Sequence, residues 1–583
     1  MSNLVLVKRI LYCAPSRDHF LDFAGLAARV RGCVAEGGAE ELTLTCHNVQ
    51  ARFCLRGTPA ATAARLREEY FNLLVLDARA LPREGFGPEA AAAPAFALLD
   101  LLEGEEDVEA RYPLNRILVL VQGSDDATDR LMVRLAGRGV ARVVRDPGPT
   151  GATLPGVEPS APRLAFASVA LEEMARLTTE RRPGKVALCL AGGGTTGIFF
   201  EQGALKCLAD CLPPGALNAL DLYFGISAGA VVSGVLANGY GIDEFLAAIA
   251  GEGRGSMRRL DLNVVRFAHL NLGALVEEVR VAARHVLELV GRALPGTRRA
   301  ALEALLLDVG DLVPPPFHGR VFEGLLREAF TAPGHTNDFR RLPRPLFIGA
   351  TDQDSRWPVL FGGPEGQDVP ISLAIQASMS LNPAFTSTKI GGRYYEDGGV
   401  TRTTNFIEAI RRGADLLFII DPLVPYVSKT PGYARARGAL YNIDQNIRTI
   451  SYTRYANTRR HILREHPEVS FYTFLPQNTL RRRLAYNPLD HRPFLHIWRG
   501  AYLSTLQRMQ QLGHRLTGDL AAHGIRLDPR PAEQVAAQLQ ATDNPRFADF
   551  FPGREITLAR PSPPPPRGPE AAPTRDLPVV RSA

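Results

Sequence analysis

Short apolar runs separated by amphipathic or alanine-rich stretches open the chain, at residues 9–13, 42–46, 73–76, 117–121 and 140–144. Alternation of this kind predicts a parallel, doubly wound α/β domain over 1–150. The turn formers Gly148-Pro149 follow, then a linker, 151–182, with one helix at 165–177. A second alternating region covers 183–425. Val186-Ala187-Leu188-Cys189-Leu190 reads as a buried strand leading to a helical stretch at 198–212, and Leu222-Tyr223-Phe224 as one leading to a helix at 230–236. Inside this region, 258–316 reads as a helical insertion. Leu275, Val276, Val279, Ala283, Val286, Leu287 and Val290 repeat at three- and four-residue spacing, giving one apolar face. Such a hairpin either packs on its own domain or forms a lid or membrane-docking surface. Residues 426–550 are mainly helical in pattern. The Pro-rich tail, 551–583, holds too little apolar content for a core and is expected to be disordered.

The chemistry concentrates between the strands of the second region. Ser227 stands in Gly225-Ile226-Ser227-Ala228-Gly229, after an apolar run and before a helix. That is the setting in which G-x-S-x-G becomes a nucleophile elbow, with small residues permitting the sharp turn. Upstream, Gly192-Gly193-Gly194-Thr195-Thr196-Gly197 joins strand to helix. These glycines make a tight turn, an anion-binding nest that serves as an oxyanion hole, or a dinucleotide loop. The last reading wants an acidic residue at the end of the next strand, whereas Asp221 stands at its start. No Gly-Lys-Ser/Thr follows, so a nucleotide P-loop is excluded. Downstream lies Glu396-Asp397-Gly398-Gly399, which alone would be a plain turn.

Together, the Gly-rich loop, the serine 33 residues beyond Gly194 and the Asp-Gly-Gly 170 residues beyond the serine resemble the patatin-like phospholipase family. The resemblance covers about 183–425 and includes Ile348-Gly349-Ala350-Thr351-Asp352. It implies a three-layer α/β/α hydrolase domain and a Ser227–Asp397 dyad without histidine. The oxyanion would be held by the loop Gly192, Gly193, Gly194 and Thr195; Gly225 and Gly229 would shape the elbow, and Gly398 and Gly399 would complete the aspartate turn. The implied reaction is hydrolysis of acyl-lipid esters through an acyl-enzyme, with no cofactor and no metal. Acyl transfer uses the same intermediate, and a non-catalytic lipid-binding or regulatory protein on the same fold is the rival. Two positions depart from the family pattern: Thr196 where Arg or Lys is usual, and Phe406 after Asn405 where Pro is frequent. A Ser-Asp-His triad is the other hydrolase scheme, with His461, His466, His491 and His496 downstream of Asp397.

Bulk properties set the surroundings. With 583 residues the chain suggests several domains, and 45% hydrophobic with 22% charged residues is ordinary for a globular protein. No apolar run approaches the roughly 18 residues that span a bilayer, and the first residues do not make a secretory signal. Seven cysteines without a C-x-x-C pair point to reduced thiols in the cytoplasm. Cys207 and Cys211 share a helix face, which fits packing better than a metal pair. Between 431 and 500, twelve arginines and no lysine stand against four acidic residues. That surplus, like the net charge of +6, suits a peripheral contact with an anionic membrane surface. No nucleic-acid fold signature accompanies it. The N-terminal domain weakly resembles a response-regulator receiver, with Asp77 after the third strand, Pro82, and Asp146-Pro147. It is a degenerate one: Ala14 and Pro15 stand where the resemblance implies acidic residues, and Asp146 where it implies lysine. Such a module would serve as a docking site for a regulatory partner.

Overall fold

Continuous apolar runs make central strands, and two sheets form around them in a computed structural model. It describes residues 6–31, 34–37, 40–46, 49–79, 88–140, 142–147, 160–178, 183–252, 257–260, 262, 315–364, 366–382, 384–466, 468–485 and 490–552. The N-terminal domain comprises β1 (Leu6–Cys13), α1 (Arg17–Arg31), β2 (Val34–Gly37), β3 (Glu41–Cys46), β4 (Val49–Arg56), α2 (Pro59–Glu68), β5 (Leu73–Ala78), α3 (Pro88–Glu103), β6 (Ile117–Gln122), α4 (Asp126–Gly137), β7 (Arg142–Asp146) and α5 (Ala161–Thr178). Its strands lie in the order β2-β3-β4-β1-β5-β6-β7. β5 is buried throughout and β6 nearly so, as strands covered on both faces require. Asp125 caps α4, accepting from the Thr128 amide at 3.0 Å.

One expectation is corrected here. β4, β1, β5, β6 and β7 are parallel, in the doubly wound order 2-1-3-4-5. β3, however, runs antiparallel to β4, and β2 antiparallel to β3, so the sheet is mixed. The run at 42–46 is thus an antiparallel strand, and the second parallel strand is β4, whose Arg52 and Arg56 interrupt the apolar pattern. The helix expected within a linker, α5, buries Phe166, Ala167, Ala170 and Met174 in the same core as Phe20 and Phe23 of α1.

The second sheet forms from β8 (Lys185–Leu190), α6 (Gly194–Cys211), β9 (Leu222–Ile226), α7 (Ala228–Ala237), α8 (Ile242–Ala250), α9 (Arg320–Phe330), β10 (Leu346–Asp352), β11 (Pro358–Phe361), α10 (Ile371–Ser378), β12 (Thr388–Ile390), β13 (Arg393–Asp397), α11 (Phe406–Arg411), β14 (Ala414–Ile420), α12 (Gly438–Glu465), β15 (Ser470–Phe474), α13 (Asn478–Leu484), α14 (Phe494–Ala522) and α15 (Arg530–Gln540). The strand order is β12-β13-β10-β9-β8-β14-β15, with β11 added to β10. One face carries α6, α7, α8, α9, α10, α14 and α15 over a single large core. The other carries α11 and α12, through Phe406, Ala409, Tyr455 and Ile462. The result is three layers.

The mainly helical C-terminal region therefore also supplies a strand, β15, to the second sheet. Its α14 lies along α6, three of whose enclosed polar residues find partners. Trp498 Nε1 donates to Gln202 at 3.0 Å, Lys206 Nζ meets Asp210 at 2.8 Å, and the Tyr502 hydroxyl donates to Asp210 at 2.8 Å. Cys207 and Cys211 are buried in the same core. The insertion between 263 and 314, Pro82, and the tail from 553 lie outside the described residues. Among the described residues, no helix is long and apolar enough to cross a membrane.

Candidate active site

Strand register brings the candidate residues together. β9 pairs with β10 as far as Ile226 opposite Gly349. The next residue of β10, Ala350, is registered with Asp397 of β13. Because β11 spans Ile348 to Thr351 of β10, β9 and β13 must share the opposite edge in succession. Ser227, one residue past β9, therefore emerges beside Asp397.

Ser227 has φ 53° and ψ −115°, the strained geometry of an elbow, worth about 1–3 kcal/mol. Two glycines allow it. A β-carbon on Gly229 would stand 2.5 Å from the Leu190 carbonyl oxygen, and one on Gly225 would run into the Ser233 hydroxyl and the Gly229 carbonyl. The Ser227 amide donates to Ser378 Oγ at 2.8 Å, and that hydroxyl donates to the Gly349 carbonyl at 2.6 Å. Ser378, at the end of α10, thus pins the elbow to β10.

The Asp397 carboxyl is enclosed. It lies beside the Ser227 side chain and accepts the Gly399 amide at 2.7 Å. The Thr351 hydroxyl donates to its carbonyl at 3.1 Å. Burial pushes its pKa up to about 6, opposed by the nearby Ser227 hydroxyl and the Gly399 amide and reinforced by neighbouring Glu396. A carboxylate near 6 is a stronger base than a solvated one and still ionised at neutral pH.

The Gly-rich loop ends β8 and opens α6, with Gly194 at φ 64°. Gly192 lies against Ser227, where an added β-carbon would stand 3.3 Å from the serine Cβ. The helix begins at Gly194, four residues earlier than the apolar pattern suggests, so its first amides, those of Gly194 and Thr195, have no intrahelical partner. They open at the helix N-terminus, where negative charge is favoured. Pro422 backs the loop, lying within contact of Gly193 and Gly197. Arg448 of α12, fully buried, donates to the Pro422 carbonyl at 3.1 Å and to the Leu484 carbonyl at 3.1 Å. Thr196 Oγ1 reaches the same Leu484 carbonyl at 3.3 Å. Arg454, also on α12, donates to the carbonyls of Gly399 at 2.8 Å and Val400 at 3.0 Å.

Behind the loop, Glu201 and Asp421 are buried carboxyls. Burial raises Glu201 well above the carboxylate range, with Asp421 adding to the shift. It likewise pushes Asp421 up to about 6. Ser378, Arg448, Arg454, Glu201 and Asp421 were not singled out by sequence as site residues. The arginines carry no local signal, since their targets lie 26 to 55 residues away.

Neither the dinucleotide loop nor a triad through His461 or His466 assembles. Asp221 accepts the Val186 amide at 2.9 Å at the amino end of the sheet, remote from the glycine loop, so it cannot hold a ribose there. His461 and His466 pair with Glu465 and Glu468. Among the described residues, no group of three His, Cys, Asp or Glu side chains could hold a metal.

Residues 188–410 match the family model described as patatin-like phospholipase. Among solved structures, VipD from Legionella pneumophila is similar at 17% identity, over 62% of this chain and 75% of that one, with a TM-score of 0.23. The type III effector protein ExoU is similar at 16% identity, over 62% of this chain and 64% of its own, also with a TM-score of 0.23. No curated protein matches.

Proposed function

Since residues 188–410 are a patatin-like phospholipase domain, we propose that the protein is an acyl-lipid hydrolase working through Ser227 and Asp397. The observation that carries this reading is the strand register that sets Ser227 beside Asp397, an enclosed carboxyl whose pKa is raised to about 6. Asp397 accepts the serine proton as Ser227 Oγ attacks the ester carbonyl. The carbonyl oxygen gains negative charge against the amides of Gly193, Gly194 and Thr195, and the opening end of α6 stabilises it. Collapse expels the alcohol, which takes the proton held by Asp397. Water then enters, gives its proton to Asp397 and attacks the acyl-serine. Fatty acid leaves, and the proton returns to Ser227. Each step is a proton or acyl transfer. The substrates are phospholipids or related acyl lipids, met at a membrane surface.

The test follows fatty-acid release from phospholipid vesicles by the unaltered protein, Ser227→Ala and Asp397→Asn. Both variants should fall to background with folding intact, and only proteins retaining Ser227 should bond covalently to a fluorophosphonate. Equal release by all three proteins would refute the dyad. Labelling that persists in Ser227→Ala would assign the nucleophile elsewhere.

A further inference from the structure

The long helix α12 has one side that nothing in the described structure covers. Ile443, Ile447 and Ile450 are 49%, 38% and 65% exposed, and at 100° per residue they fall within an arc of roughly 60°. Single exposed isoleucines are ordinary; three aligned on consecutive turns make a continuous apolar stripe. The other exposed residues from 439 to 457 are alanine, asparagine and threonine, with no acid among them. Asp444 folds back onto Arg448, with Nε donating to its carboxylate at 2.7 Å. Cations flank the stripe. Arg435 precedes it and Arg460 and Arg464 follow it, all exposed and none with a carboxylate partner among the described residues. Arg437 lies over the rings of Tyr433 and Tyr441, at 4.2 and 5.8 Å from their centroids. Such a helix, apolar along one side, bounded by cations and with tyrosines at one end, has the composition of an interfacial helix.

We infer that this face of α12 is the surface by which the protein docks on an anionic lipid bilayer, with the three isoleucines entering the acyl boundary and the arginines meeting the headgroups. The charge decides the occupant. An apolar peptide groove or a second copy would gain nothing from unpaired arginines at both ends of the stripe, whereas phosphate and carboxylate headgroups match them. Position agrees. Arg454, on the same helix, holds the Gly399 and Val400 carbonyls, and Val400 is itself exposed. A bilayer against α12 therefore adjoins the Asp397 turn. This inference rests on the acyl-lipid reading of the site, and it assigns the membrane contact to α12.

The experiment uses the full chain and vesicles of phosphatidylcholine alone or mixed with phosphatidylserine. Co-sedimentation with mixed vesicles should weaken at least ~tenfold in I443Q/I447Q/I450Q. In R435Q/R460Q/R464Q the preference for mixed over neutral vesicles should disappear. Neither set touches the site, so hydrolysis of a soluble short-chain ester and the thermal midpoint should stay as in the unaltered protein. Undiminished vesicle binding by the isoleucine variant overturns the inference. So does a stripe that proves to be a self-association face, seen as a dimer dissociated by I443Q/I447Q/I450Q while vesicle binding persists. Absence of ester turnover in the unaltered protein would instead overturn the enzymatic reading, leaving the vesicle result to decide the surface.

Discussion

A carboxyl group enclosed on all sides and raised to about 6 is a better proton acceptor than a solvated one, and it also weighs on the folded state. In the unfolded chain Asp397 would titrate near 3.9. The folded protein therefore holds its proton more tightly, and the neutral form's stability, complete below about pH 4, is lost as pH rises through about 6. Two consequences follow. Ester turnover should rise through a limb near pH 6 to a plateau, measured as kcat/KM on a soluble ester. Asp397→Asn should abolish that turnover yet make the protein more stable at pH 7, by on the order of 2 kcal/mol. The gain should vanish below about pH 4, and urea unfolding at both values checks it. Equal stability of the two proteins at pH 7 would mean that Asp397 is not desolvated. Ser378 works differently, through the backbone. Without its hydroxyl the Ser227 amide loses a buried partner at a cost of about 1–3 kcal/mol, and the strained elbow can relax. Ser378→Ala should lower kcat about tenfold or more with KM little changed.

Among the elements, α12 grips both halves of the site. Arg448 spans three acceptors, Asp444, the Pro422 carbonyl and the Leu484 carbonyl, and Pro422 in turn backs Gly193. A lysine presents a single ammonium and cannot reproduce that fork. Arg448→Lys should therefore lower kcat about tenfold while the protein still folds, and a full-rate variant would show that the loop needs no such support. Thr196 and Arg448 share the Leu484 carbonyl. Nothing local in sequence signals that contact, because it depends on folding α12 back over the sheet. The legible parts are of another kind. Ser227 and the glycines could be read because an elbow demands small residues at fixed spacing. β5, β6, β8 and β9 could be read because doubly covered strands are continuously apolar. β4 escaped because Arg52 and Arg56 interrupt it, and β15 because five residues between helices resemble a loop. Asp77, near the end of β5, is buried against Arg79 at 2.8 Å and Tyr12 at 2.5 Å. Burial opposes its ionisation, and the Arg79 guanidinium outweighs it, holding the carboxyl below its usual range. Arg79 also meets Asp22 and Asp146, so a built-in cation fills this acidic cluster.

At the scale of the whole molecule, Glu109 is the centre of a network that joins the N-terminal domain to the second sheet. Glu109, between α3 and β6, accepts the Thr473 amide at 3.0 Å, Arg459 at 2.9 Å and Arg508 at 2.7 Å. Arg508 also pairs with Asp107, and Arg515 donates to the Glu109 and Arg111 carbonyls. Thr473 belongs to β15, which ends the strand order of the second sheet, so Glu109 satisfies an amide that an uncovered edge would leave open to another chain. Removing one partner of a buried ion network strands the others, at about 3–5 kcal/mol. Glu109→Ala should accordingly unfold in two steps in denaturant, the N-terminal domain first, where the unaltered protein loses both together. Glu109→Gln, which keeps an acceptor for the Thr473 amide, should fall between them. β8 and β14 separate β9, which leads to Ser227, from β15, so both variants should turn over a soluble ester at the normal rate under native conditions. A loss of turnover in Glu109→Ala, with the catalytic sheet still folded, would mean that the N-terminal domain acts on the site through β15 and α12 as well as anchoring to them.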